Sequence, residues 1–155
     1  MLPVSGQQRA VFFAGRAVGF FCLLFTAYCS LSCSIPNLEG GECNEARDAV
    51  RQFYSFHFGN DMRPSAENLK KRERFLTPEL TASLEKAPPS AIDYFTATEQ
   101  APKTFKVGKC DATDPTHTVF QVQLYWRDDI ETVQKEVHAE AIKTGDAWLI
   151  NKVTN

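Results

Sequence analysis

Residues 118–126 read Thr-Val-Phe-Gln-Val-Gln-Leu-Tyr-Trp. Phe120, Val122, Leu124 and Trp126 fall on one side, Gln121, Gln123 and Tyr125 on the other. Alternation of this kind is the period of a half-buried strand, because successive side chains of an extended chain point to opposite faces. Downstream, Val133, Val137, Ala139 and Ala141 repeat the rule opposite Gln134, Glu136, His138 and Glu140. Upstream, residues 103–109 alternate through Phe105 and Val107. Thr144-Gly145-Asp146 is a hairpin turn into residues 147–153, and Arg127-Asp128-Asp129 joins the second strand to the third. The expectation is a four-stranded antiparallel meander with one wet face and one dry face.

Before Pro102 the apolar period is helical. Ala46, Ala49, Val50, Phe53 and His57 make an i, i+3, i+4, i+7 stripe, with Asn44 as its cap and Glu45 and Asp48 in the favourable first turn. Tyr54, Phe56 and Phe58 widen the aromatic surface, so this helix is expected to be clasped on more than one side; Gly59-Asn60 ends it. Pro64-Ser65 opens a second helix reaching about Phe75. Its run Lys70-Lys71-Arg72-Glu73-Arg74 reads as a solvated face, because Glu67 and Glu73 are interleaved with the cations. Thr77-Pro78 starts a third helix that buries Leu80 and Leu84 and stops at Ala87-Pro88-Pro89-Ser90. Three N-terminal helices packed on the dry face of a curved four-stranded sheet make an α+β domain.

The first 33 residues follow different rules. Arg9 and Arg16 are the only charges before Glu39, and residues 17–33 run from an apolar core into small residues. That is the pattern of an export signal. Three outcomes fit it. Ser30-Leu31-Ser32-Cys33 resembles the lipobox of bacterial lipoproteins, although Leu31 stands one step late, which makes Cys33 a candidate for lipidation. Plain cleavage, for instance after Cys29 or Ser32, is the second. The third is a retained membrane anchor, for which a span of roughly 20 apolar residues is needed. All three place the remaining chain outside the cytoplasm, periplasmic or attached to the envelope. The expected organisation is a leader at 1–33, a tether at 34–43 and one α+β domain at 44–155.

Without the leader the chain keeps 15 Lys+Arg against 19 Asp+Glu, a charge of −4. That balance offers no pull toward nucleic acid, which needs a basic face. Three of the five cysteines lie in the leader, leaving Cys43 and Cys110. In an oxidising compartment these are candidates for one disulfide, the alternative being two separate thiols. Neither belongs to a C-x-x-C pair, and His57, His117 and His138 lie on three elements without i, i+4 spacing, so no metal is expected. No phosphate-cradling glycine loop and no G-x-S-x-G elbow is present, and no cofactor is expected.

The order of elements resembles the nuclear transport factor 2-like superfamily, a cystatin-like cone in which a curved sheet wraps a long first helix. The residues that carry the likeness are Val50-Arg51-Gln52-Phe53-Tyr54, Leu76-Thr77-Pro78-Glu79-Leu80, Asp93-Tyr94-Phe95, Phe105-Lys106-Val107-Gly108-Lys109 and Trp148-Leu149-Ile150-Asn151-Lys152-Val153. Within the superfamily the chain is similar to uncharacterised exported bacterial proteins. The resemblance implies a cone pocket, here expected to involve Phe53, Tyr94, Phe95, Tyr125 and Trp126. It does not choose a function, since the superfamily holds isomerases, dehydratases, hydrolases and non-catalytic modules.

Two functions fit these residues. One is a non-catalytic exported module that holds a small apolar ligand or a protein partner, or that dimerises through the polar sheet face around Tyr125. The other is a small pocket enzyme moving a proton with His57 and Asp93 beside the Tyr54 hydroxyl. Tyr54 and His57 are three apart and share a helix face, and an imidazole near a carboxylate has the chemistry of a general base. What separates the two is whether these groups can reach a ligand.

Overall fold

The computed structural model describes residues 39–127 and 132–155. Three α-helices come first in it, α1 (Gly41–Phe58), α2 (Ala66–Arg72) and α3 (Pro78–Glu85), with a 3₁₀ turn at Glu73–Phe75. Four strands follow, β1 (Thr104–Asp114), β2 (His117–Arg127), β3 (Thr132–Thr144) and β4 (Ala147–Thr154). They pair antiparallel in the order β1-β2-β3-β4. The leader with Cys33, the first half of the tether, the turn residues Asp128 and Asp129, and the side chain of Val133 lie outside the described residues. Among the described residues no helix is long and apolar enough to cross a membrane.

The alternation read in residues 118–126 sets the core. Phe120, Val122 and Leu124 are fully buried, and Val122 stands opposite Val107 on one side and Val137 on the other. α1 lays Ala46, Val50, Phe53 and Tyr54 on this dry face and touches all four strands. The helix starts at Gly41, three residues before the expected cap. Asn44 is already inside, its N–H bonded to the Gly40 carbonyl at 3.3 Å. Cys43 in the first turn is joined by a disulfide to Cys110 of β1, with 5.9 Å between the Cα atoms. That cross-link holds the first turn against the sheet.

β1 is irregular where it meets α1. Its register slips between Val107 and Cys110. The carbonyls of Val107 and Gly108, at this slip, accept from Nη1 of Arg47 at 3.3 and 2.7 Å, and Arg47 also pairs with Glu39. Glycine at 108 eases this close approach, since a Cβ there would sit 3.3 Å from the Gln121 carbonyl oxygen. At the other edge of the sheet, Leu76 bridges to Ile150 and the Thr77 N–H donates to the Ile150 carbonyl at 3.0 Å, so part of β4 is covered. α2 and α3 begin as read: Ser65 caps the Asn68 N–H, and Thr77 caps the Leu80 N–H with Pro78 behind it.

Candidate functional site

Between α3 and β1 the chain doubles back on itself. Asp93 N–H donates to the Thr98 carbonyl at 2.9 Å and Ala97 N–H to the Asp93 carbonyl at 2.8 Å. Closing this loop puts Ala97 at φ 54°, where the Cβ of an L-residue crowds the carbonyl and costs roughly 1–2 kcal/mol. Three side chains hold the loop in that state. Tyr54 donates its hydroxyl to the Phe95 carbonyl at 3.1 Å, Lys135 reaches the Ala97 carbonyl at 2.7 Å, and Asp93 Oδ2 accepts from the Thr96 N–H and hydroxyl at 3.0 and 2.7 Å. Ala97→Gly is expected to stabilise the domain by about 0.5–1 kcal/mol, strain relief exceeding the extra freedom of an unfolded glycine. A lower urea midpoint for the variant would contradict it.

His57, at the C-terminal end of α1, is 0 % exposed and lies at the centre of this arrangement. Its ring stacks on Phe53 and takes the edge of Phe95, with centroids 5.7 and 5.2 Å away. Nε2 is 2.9 Å from Asp93 Oδ2, and Nδ1 is 2.8 Å from Nε of Arg72. A guanidinium only donates, so Nδ1 must be the accepting lone pair. Nε2 then carries the proton and donates to Asp93. Arg72 completes the chain with Nη1 on the Asn68 carbonyl at 2.7 Å and Nη2 on the Asp61 carbonyl at 2.8 Å. Burial draws its pKa below the usual arginine value while Asp93 pushes it back up. α1, α2 and the 93–98 loop are thus tied by a buried cation, an imidazole and a carboxylate in series.

Such an arrangement orients groups and takes the imidazole out of use as a base. A general base needs a lone pair within reach of a substrate proton, and the lone pair of His57 already faces Arg72. The Tyr54 hydroxyl is buried and committed to the Phe95 carbonyl. Burial, with the nearby Asp93 and Tyr94, holds the Tyr54 pKa well above its ordinary value of 10.0. A phenol whose folded pKa is raised adds stability that is complete below pH 10 and is lost as pH climbs beyond it, at about 1.4 kcal/mol per pH unit. Comparing urea midpoints at pH 9 and pH 11, Tyr54→Phe is expected to fall less steeply than the parent. Parallel falls would contradict this.

Beside the 93–98 loop lies a groove of about 830 Å³, bounded by α2, the end of α3, residues 87–97 and the last residues of β4. Tyr94 and Phe95 line it, as do Arg72 and Asp93. The other expected pocket residues lie elsewhere. Phe53 is fully buried under the sheet. Tyr125 is on the wet face with its hydroxyl on Gln123 Oε1 at 2.9 Å, and Trp126 donates to the Gln100 carbonyl at 3.0 Å. On the wet face Gln121 stands opposite His138, and Gln123 opposite Glu136. Among the described residues no three His, Cys, Asp or Glu side chains converge on a point that would hold a metal.

Arg72 is the residue that the sequence reading misplaced. It was expected on a solvated face and is 2 % exposed. The reason is its spacing: Leu69, Arg72, Phe75 and Leu76 make an i, i+3, i+6, i+7 row, which turns Arg72 toward the core while Lys70, Lys71 and Arg74 face outward. That row was the signal available in the sequence. Nothing comparable marks Thr96 or Lys135, whose roles depend on how the loop folds back.

No protein-family model matches the chain, and no curated protein sequence does. Solved structures similar in fold include these two. One is a chain of the type VI native effector–immunity complex Tae3–Tai3 from Ralstonia pickettii, with 17% identity and a TM-score of 0.54 over 72% of this chain and 95% of that one. The other is a protein of unknown function from Bacteroides thetaiotaomicron, with 16% identity and a TM-score of 0.51 over 72% of this chain and 90% of that one. At these identities the likeness is one of fold: an α+β domain of three helices and a four-stranded antiparallel sheet.

Proposed function

We propose that the chain is an exported, non-catalytic module of the cell envelope that works by docking a protein partner. The observation that carries this reading is the state of His57, whose two ring nitrogens are engaged by Arg72 and Asp93 and whose ring is 0 % exposed. The proton-transfer alternative would need that imidazole, or the Tyr54 hydroxyl, open to a ligand. The groove remains as the concave surface beside it. The neighbour from Ralstonia pickettii supports the reading, since it is a chain of a protein–protein complex.

In the same reading the fold is a nuclear transport factor 2-like cone, supported by an α1 that touches all four strands. Residues 1–33 are the export leader and Cys33 is the lipid-bearing residue of the mature protein. Intact mass of the protein from its native host tests that part: a chain beginning at Cys33 with acyl groups is expected, and a Met1 start or an unmodified mature end would contradict it.

The docking claim is tested by mild amine cross-linking in the native host, followed by mass analysis of purified adducts. A species larger than the mature chain and containing a second, different polypeptide is expected. Monomer alone, or adducts of the chain with itself alone, would contradict the reading.

A further inference from the structure

We propose that the groove takes a basic segment of that protein partner, an apolar stretch carrying a lysine or arginine, with Asp93 and Glu85 as its acceptors. This rests on the partner-docking reading and gives it a face and a chemistry. The walls are apolar where Leu69, Leu84, Ile92 and Phe95 meet. Ile92, at 49 % exposed, is the one large hydrophobic side chain among the described residues left open to that degree.

Four charged side chains line the groove: Arg63, Arg72, Glu85 and Asp93. The two cations are engaged. Arg63 holds Asp61 through Nε and Nη2, at 3.0 and 2.7 Å, and Arg72 holds His57 and two carbonyls. Glu85 and one of the two oxygens of Asp93 are not. Glu85 has no ion-pair partner among the described residues. Asp93 is only 8 % exposed, yet its bonds to His57 and Thr96 all end on Oδ2.

Among the described residues no buried side-chain nitrogen or oxygen lacks a partner. Oδ1 of Asp93 is therefore not sealed in the core, and the surface it can reach is the groove. A nearly buried carboxylate oxygen at an apolar wall favours a donor, and a cationic donor most, because the charge-assisted bond forms where water is scarce. The excess of four acids over bases in residues 39–155 adds a long-range preference of the same sign. A groove of apolar wall and acidic acceptor thus selects against an acidic or purely apolar occupant.

The test places the photo-cross-linker p-benzoylphenylalanine at Ile92 in the full chain, expressed in its native host, with the same residue at Gln123 on the sheet face as control. Irradiation is expected to capture a protein from position 92 whose cross-linked peptide carries Lys or Arg beside apolar residues. Glu85→Lys, a change at an exposed side chain with no ion pair, is expected to cut that yield about tenfold. Capture at 123 but not at 92 would leave the partner reading standing and overturn the groove. Capture at 92 of a segment without a basic residue, of a second copy of this chain or of a lipid would overturn the occupant, as would indifference to Glu85→Lys. No protein adduct at either position would contradict both readings.

Discussion

Asp93→Ala is expected to destabilise the domain by about 3–5 kcal/mol, the range found when one member of a buried ion pair is removed. The variant leaves the Nε2–H of His57 and the N–H and hydroxyl of Thr96 without their common acceptor. It also leaves the buried guanidinium of Arg72 without the negative charge at the far end of the series. Tyr54→Phe, which removes one neutral hydrogen bond to the Phe95 carbonyl, supplies the scale: at neutral pH it should cost only about 1 kcal/mol. Urea unfolding followed by tryptophan fluorescence measures both. If Asp93→Ala moved stability no more than Tyr54→Phe does, the series from Arg72 to Asp93 would not be what joins α1, α2 and the loop. A small net marginal stability, about 5–15 kcal/mol for a domain of this kind, makes the difference easy to see.

Replacing Cys43 and Cys110 together by serine is expected to remove about 4 kcal/mol, from the chain entropy returned to a loop of sequence separation 67. The two cysteines sit where the loss would be felt, in the first turn of α1 and beside the slipped register of β1. Arg47 would then be left as the main polar tie between those elements, through the Val107 and Gly108 carbonyls. Guanidinium unfolding of the parent and the double variant, each in oxidising buffer, checks this. Equal midpoints, or two free thiols in the mass of the native parent, would contradict it.

Much of the fold was legible because its signals are local. The alternation in residues 118–126 and in β3 survives into the burial pattern, and the caps Ser65 and Thr77 stand where a polar side chain precedes an apolar run. The start of α1 was read four residues late, its cap being Gly40 rather than Asn44, because Gly40 offers no side chain that local capping rules would single out. The site was legible only in part. Tyr54, His57 and Asp93 do come together, but what they do depends on Arg72, whose inward turn follows from an i, i+3 row that its charged neighbours conceal. Tyr125 and Trp126 were drawn toward the expected pocket by residue type alone, and the pairing of β2 places them elsewhere. The groove itself is made by three segments distant in sequence, so no local pattern announces it.

The non-catalytic reading turns on the protonation geometry of one imidazole, that of His57. Long-range ¹H–¹⁵N correlation on the histidine side chains of the folded protein reads it directly. The expected result for His57 is a protonated, pyrrole-type Nε2 and an unprotonated Nδ1 that accepts from Arg72, with the Nε2 signal lost as a distinct tautomer in Arg72→Met. An Nδ1–H tautomer, or a ring whose Nδ1 shifts freely with buffer composition as an open base would, contradicts the account and returns His57 to the list of catalytic candidates.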